Sequence, residues 1–269
     1  MSRDTRSGRQ VSRYSGNWKQ SDRDVRSGGS ARGASAHRDP DGRSDSALTA
    51  RNSEKITLKP GAMLNPVPAV LVSCSDGEKD NLITIAWTGI INTDPPMTYI
   101  SVRKSRYSHD MIADSREFVI NLTTESIVRQ VDFCGVRSGR DLDKFAECRL
   151  TRIPADIVSA PLVAESPVNL ECVVNEIREY PSHDMFIAEI VAVHADASLM
   201  DEKGRLCLDQ AGLVSYCHGE YFGLQPKPLG TFGYSVMKEK TRRRREAERR
   251  SIRHNYQKNA RARRQGQHK

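Results

Sequence analysis

Four short runs of β-branched and other apolar residues follow one another between positions 69 and 122: 69–74, 82–87, 98–103 and 117–122. Each has the length of one strand and is too short for a core helix. Asp76-Gly77 closes the first run, so the first two read as a hairpin. The third alternates with period two, and the fourth is apolar almost throughout. Later strand candidates are 150–153, 170–178 and 185–193. Short helices fit between them, one starting at Ser108 with Asp110 in its first turn, another over 124–134 that stops at Gly135. With no regular βαβ rhythm, this pattern speaks against parallel-sheet folds. It favours a mainly β, mainly antiparallel barrel with short helical insertions.

The charge is distributed unevenly. Lys and Arg number 42 against 34 Asp and Glu, a net of +8. Residues 1–54 hold 11 basic and 7 acidic side chains, and residues 238–269 hold 14 and 3, so 55–237 carries 17 and 24. The domain itself is therefore acidic. Residues 1–54 are Arg, Ser, Gly and Asp with too little apolar area to offset ordering, which predicts a disordered tail. Residues 238–269 favour a charged helix or coil without an apolar stripe, and their dense Arg suits a polyanion such as nucleic acid or an acidic surface. No run approaches the roughly 18 apolar residues of a membrane span, and the polar, acid-containing start carries no apolar signal core. A cytoplasmic protein is expected. The six cysteines form no C-x-x-C pair, which predicts reduced thiols rather than a zinc site or disulfides, and no metal is expected. Cys134 beside Gly135 reads as buried rather than reactive.

The densest set of anion-binding groups is Ser101-Val102-Arg103-Lys104-Ser105-Arg106-Tyr107-Ser108, which leaves a strand and enters a helix N-terminus. Three cations, three Ser hydroxyls and free amides suit a phosphate; a solvated turn is the other reading. Upstream lie Asn81, Thr84 and Trp87, the last leading into Thr88-Gly89, where the backbone could approach a flat ligand; a core tryptophan is the alternative. Taken alone, His183 in the turn before an apolar strand reads as a surface histidine, and Lys144 as the polar face of a short helix.

Together with Asn65-Pro66-Val67-Pro68, Pro95-Pro96, residues 81–89, 101–108 and 117–122, and Asp143-Lys144-Phe145, these motifs resemble the flavin reductase-like (flavoredoxin-type) FMN-binding split barrel family. The resemblance covers about residues 58–230. It implies a six-stranded Greek-key split β-barrel, a homodimer, and noncovalently bound FMN. By that resemblance, Asn81, Thr84, Trp87 and the Ala86 backbone surround the flavin ring and ribityl chain. Ser101, Arg103, Arg106 and Ser108 hold the phosphate. Lys144 and His183 lie near the isoalloxazine as catalytic candidates, and an aromatic among Tyr216, Tyr221 and Phe222 completes the pocket. The implied activity is hydride transfer from NADH or NADPH to FMN and on to free flavin, a ferric chelate or a protein partner. The alternative is an electron-transfer flavoprotein without nicotinamide activity. No Gly-x-Gly-x-x-Gly fingerprint is present, so a nicotinamide would have to stack on the flavin in an open cleft.

Overall fold

Strand β2 (Val70–Ser75) is buried along its whole length, and the reason organises the molecule. Val70, Val72 and Cys74 face one core cluster and Ala69 and Leu71 face another, because successive side chains of a strand point to opposite sides. The computed structural model describes residues 55–225 and 228–245, with 247, 250 and 251. Residues 55–60 are exposed, irregular chain in a unit separate from residues 61–269. The expectation for residues 1–54 lies outside the described residues. Residues 239–245 are helical.

After the two-residue β1 (Val67–Pro68) and β2 come β3 (Asp80–Ile85), β4 (Thr88–Thr93), β5 (Pro96–Arg103), α1 (Tyr107–Ser115) and β6 (Glu117–Leu122). A 3-10 turn leads into α2 (Val128–Val136), followed by α3 (Lys144–Cys148) and the short pair β7 (Arg152–Ile153) and β8 (Leu162–Val163). The long hairpin β9 (Val168–Glu179) and β10 (His183–Ala195) precedes β11 (Val214–Cys217) and β12 (Glu220–Gly223). Seven strands form one antiparallel sheet in the order β3-β2-β6-β9-β10-β5-β4, and β1, β11 and β12 form a second, smaller one. Within the large sheet β6, β9 and β10 are successive neighbours and β10 returns beside β5, a Greek key.

The sheet must roll up. Its two edge strands, β3 and β4, are joined by Ala86 and Trp87 alone. Two linking residues hold the edges within about 11 Å at that end, given 3.8 Å per Cα step. The barrel therefore closes, but β3 and β4 are not paired with each other, and the seam between them is the split. Inside lie Ile83, Ile85, Ile100, Val102, Phe118 and Phe186, with Met111 and Ile112 of α1 closing one end. Outside, α2 and α3 cover Leu71 and Leu82 with Val131, Cys134 and Phe145.

Three sequence expectations change. The sheet has seven strands rather than six, because Thr88–Thr93, with its Gly, Thr and Asn content, folds back along β5 as an edge strand. Helix α1 begins one residue before Ser108, with Arg106 at the cap and no side-chain cap bond. Helix α2 runs through Gly135 to Val136. Gly135 is there for close approach rather than as a stop signal, since a Cβ would meet Thr84 Cβ at 3.3 Å. Gly139 is tighter still: a Cβ would come within 2.6 Å of Asn81 Cγ. Gly139→Ala is expected to dislodge Asn81 and cost about 1–3 kcal/mol, read as a lower thermal midpoint; an unchanged melt would mean that the loop yields freely.

Candidate functional site

The outer face of β5 and β10 brings the first group of site residues together. Along β5, Ile100 and Val102 point into the barrel while Tyr99, Ser101 and Arg103 point out. Across the ladder His183 pairs with Arg103, Met185 with Ser101 and Ile187 with Tyr99, so His183 rises beside Arg103. Trp87, in the link at the seam, accepts a hydrogen bond on its carbonyl from the Ser101 amide at 2.9 Å, next to half-buried Ala86. The residue is 47% exposed, and its ring centroid lies 4.6 Å from that of His183, tilted by 36°. Partial burial and the neighbouring Arg103 charge hold the His183 pKa below the usual range, so the ring is neutral at pH 7. Ser182 Oγ lies 2.9 Å from its Nδ1.

The cations of segment 101–108 are not equivalent. Lys104 is taken up by Glu179 at 2.9 Å and lies 3.2 Å from Asp184 Oδ1. Arg103 and Arg106 are exposed and have no anionic partner among the described residues. Arg106 sits at the start of α1, whose first amides receive no side-chain cap. Two free guanidinium groups and uncapped helix amides are what a phosphate requires.

The remaining residues make contacts between elements of the fold. Asn81 and Ser108 are both buried, and Asn81 Nδ2 donates to Ser108 Oγ at 2.7 Å, tying β3 to α1. Thr84 Oγ1 donates to the Val131 carbonyl of α2. Lys144 is buried, and its ammonium donates to the Leu82 and Cys134 carbonyls at 2.7 and 2.8 Å, clasping α2 to β3. Burial lowers its pKa. Tyr216 and Tyr221 pack edge to face at 5.3 Å against the α2–α3 cluster. With Phe222, Tyr221 lines an open groove of about 520 Å³ beside Glu125, Arg129 and Asp132. Five of the six free cysteines are buried.

Two features were not legible from local sequence. Asp156, Glu171 and His194 bring potential ligand atoms within 4.8 Å of one another. The Glu171 oxygens, however, are already engaged by the Asp156, Ile157 and Val158 amides and by His194 Nε2, so the group is a clasp. The other is His109 with Asp184, joined at 2.8 Å. Its sequence signal was an acidic residue two and four positions before the apolar inward residues Phe186 and Ala188 of the same strand.

The fold and motifs have clear counterparts. Residues 63–225 match the family model described as a flavin reductase like domain. An uncharacterised protein of Archaeoglobus fulgidus is 32% identical over 135 residues, covering 50% of this chain and 76% of that protein. Flavoredoxin of Desulfovibrio vulgaris (Miyazaki F) superposes with a TM-score of 0.63 at 29% identity, covering 68% of this chain and all of that one. A split barrel domain structure from Shewanella frigidimarina, 22% identical, shares the fold with a TM-score of 0.58 over 63% of this chain and 87% of its own. With well over half its length matched, the chain belongs to the flavin reductase like domain family.

Proposed function

We propose that the chain binds FMN at the barrel seam and acts as an FMN-dependent oxidoreductase of the flavin reductase type, taking a hydride from NADH or NADPH and passing electrons to free flavin, a ferric chelate or a protein partner. The observation that carries this reading is the pairing of a half-exposed Trp87–His183 platform with two unpaired arginines at an uncapped helix start. An FMN needs a dianion site, donors along its polyol and a flat apolar slot. Arg103, Arg106 and the α1 amides fit the first, Ser101 and the Ala86 backbone the second, and Trp87 the third.

When bound, the isoalloxazine supplies the hydride and electron chemistry. The protein's part is to orient and tune. Trp87 offers the ring a face, and neutral His183 can donate or accept at its edge without adding charge. Arg103 and Arg106 hold the phosphate end. Asn81, Thr84, Ser108 and Lys144, placed in the pocket by the family resemblance, support this surface from beneath by fixing β3, α1 and α2. The exposed Ile90 and Ile91 on edge strand β4, beside Trp87, support a homodimer closing over the seam. Free thiols support a cytoplasmic setting; among the described residues no helix is long and apolar enough to cross a membrane. The basic segment from residue 238 is assigned to polyanion contact, nucleic acid or an acidic surface. Salt-dependent retention that persists in a chain ending at 237 would exclude that role.

The test is direct. Purified protein should retain FMN and turn yellow, and anaerobic addition of NADH or NADPH should bleach it. Bleaching by dithionite but by neither nicotinamide would favour the second reading, an electron-transfer flavoprotein, which the likeness to flavoredoxin supports. Failure to take up FMN in excess would overturn both. His183→Ala should lower nicotinamide turnover about 10- to 100-fold with little change in melting; equal loss of both would make His183 structural.

A further inference from the structure

Asp184 follows His183 on β10 and, by strand alternation, points to the other side of the sheet, where its side chain is 7% exposed. There it meets the first turn of α1. Asp184 Oδ2 lies 2.8 Å from His109 Nε2, and the opposite ring nitrogen, Nδ1, lies 2.8 Å from Asp110 Oδ1. The ring packs edge-on against Phe186 at 5.5 Å. A neutral imidazole has one N–H and one lone pair, whereas ionised carboxylates only accept. Both bonds therefore form only when both nitrogens are protonated, so the geometry describes an imidazolium held between two carboxylates.

Among the described residues, the charged groups that meet this pair are Asp110, Lys104 and Glu179. Asp110 on α1 is exposed and can swing into water; Asp184 on β10 cannot. Lys104, in the turn between β5 and α1, lies 3.2 Å from Asp184 Oδ1 but off the line of a hydrogen bond, and it shares its charge with Glu179 at the end of β9. The His109 cation is thus the principal hydrogen-bonded partner of a buried carboxylate. Burial would by itself lower the His109 pKa, but the bonds to Asp110 and Asp184 outweigh it and hold the pKa above the usual range. Burial likewise pushes Asp184 up, and His109 and Lys104 more than reverse this.

The position of this pair gives it a consequence. On one side Asp184 adjoins His183, which packs on Trp87. On the other, His109 lies three residues beyond Arg106, and its amide closes the turn onto the Arg106 carbonyl at 2.9 Å. Asp184 also draws Lys104 aside, leaving Arg103 and Arg106 as the free cations. We propose that His109 and Asp184 are a positioning pair that locks the phosphate-facing start of α1 to the ring-facing start of β10, so that FMN retention weakens as His109 loses its proton. This rests on the flavin reading above.

The sign follows from linkage. A histidine whose folded pKa is raised stabilises the folded arrangement below about pH 6.5, and that contribution is lost as pH rises through the folded value. The second ionisation of a phosphate monoester, near pH 6, lies below this window. FMN dissociation constants, measured by fluorescence quenching on the full-length protein, should rise about tenfold as pH is raised from the usual histidine range through the folded His109 value. His109→Gln, whose amide still donates to Asp184, should give an intermediate affinity with no break in that interval. Asp184→Asn should move the break to lower pH. An NMR titration of the ligand-free protein should show the His109 ring titrating above the usual range, and lower in Asp184→Asn. A His109→Gln profile that breaks as the wild type does, or a His109 ring that titrates at its ordinary pH, would overturn the proposal while leaving FMN binding intact. A wild-type protein that takes up no FMN at any pH would instead overturn the flavin reading, and this coupling with it.

Discussion

Replacing Arg103 and Arg106 together by alanine will weaken FMN retention by roughly two to four orders of magnitude. Each is expected to make a charge-assisted contact with the phosphate, contributing about 1.5–3 kcal/mol, and about 1.4 kcal/mol is a factor of ten. Neither arginine has an anionic partner among the described residues, so its removal breaks no ion pair, and the thermal midpoint should stay within a degree or two. Lys104→Ala is the control. Its charge is committed to Glu179 and Asp184, so it should affect FMN much less. Equilibrium dialysis with FMN and with riboflavin separates phosphate recognition from ring recognition: the double variant should lose its preference for FMN and keep whatever affinity riboflavin has. Equal affinity of wild type and double variant for FMN would place the phosphate elsewhere.

Glu171→Ala should produce the largest loss of stability, about 3–5 kcal/mol, or roughly 6–20 °C in thermal midpoint for a domain of this size. Glu171 on β9 is fully buried, and four donors converge on its two oxygens. The Asp156 amide and His194 Nε2 reach Oε1 at 2.9 and 2.6 Å, and the Ile157 and Val158 amides reach Oε2 at 2.8 and 2.9 Å. Alanine would take the shared acceptor away from all four donors at once. Burial pushes the Glu171 pKa up, but these donors more than offset it and hold the carboxyl below the usual range. Its contribution is therefore complete above the unfolded value of about 4.3 and is lost as pH falls through the lower folded value. Denaturant unfolding should show wild type and variant far apart at pH 7 and converging as the solution is acidified. A constant gap across that range would assign the effect to packing alone.

What the sequence disclosed and what it hid divide along a physical line. Period-two alternation in 98–103 was visible, and it suffices to put Ser101 and Arg103 on one face and Ile100 and Val102 on the other. The hairpin around Asp76-Gly77 was equally visible, since its turn is local. The fate of polar side chains was not. Lys144 looks like a solvated helix residue until the fold places the Leu82 and Cys134 carbonyls around it. Ser108 looks like a cap or phosphate ligand until Asn81 meets it from β3. Lys104 looks as free as its neighbours, yet Glu179 and Asp184, distant in the chain, neutralise it. In each case the deciding partner comes from another element of the fold, and no local pattern encodes that pairing. Gly135 was misread for a related reason: glycine marks a helix end or a crowded crossing, and only the position of Thr84 distinguishes them.

The two-residue link between the sheet edges makes the molecule unequally tolerant of added length. Extra residues between α2 and α3, or after β10, would extend a surface excursion and leave the strands where they are. A few flexible residues inserted between Ala86 and Trp87 would sever no ladder pairing, yet they would release the tether that draws the two margins together. The barrel could then gape, and its aromatic platform would drift away from the cationic turn while every strand stayed intact.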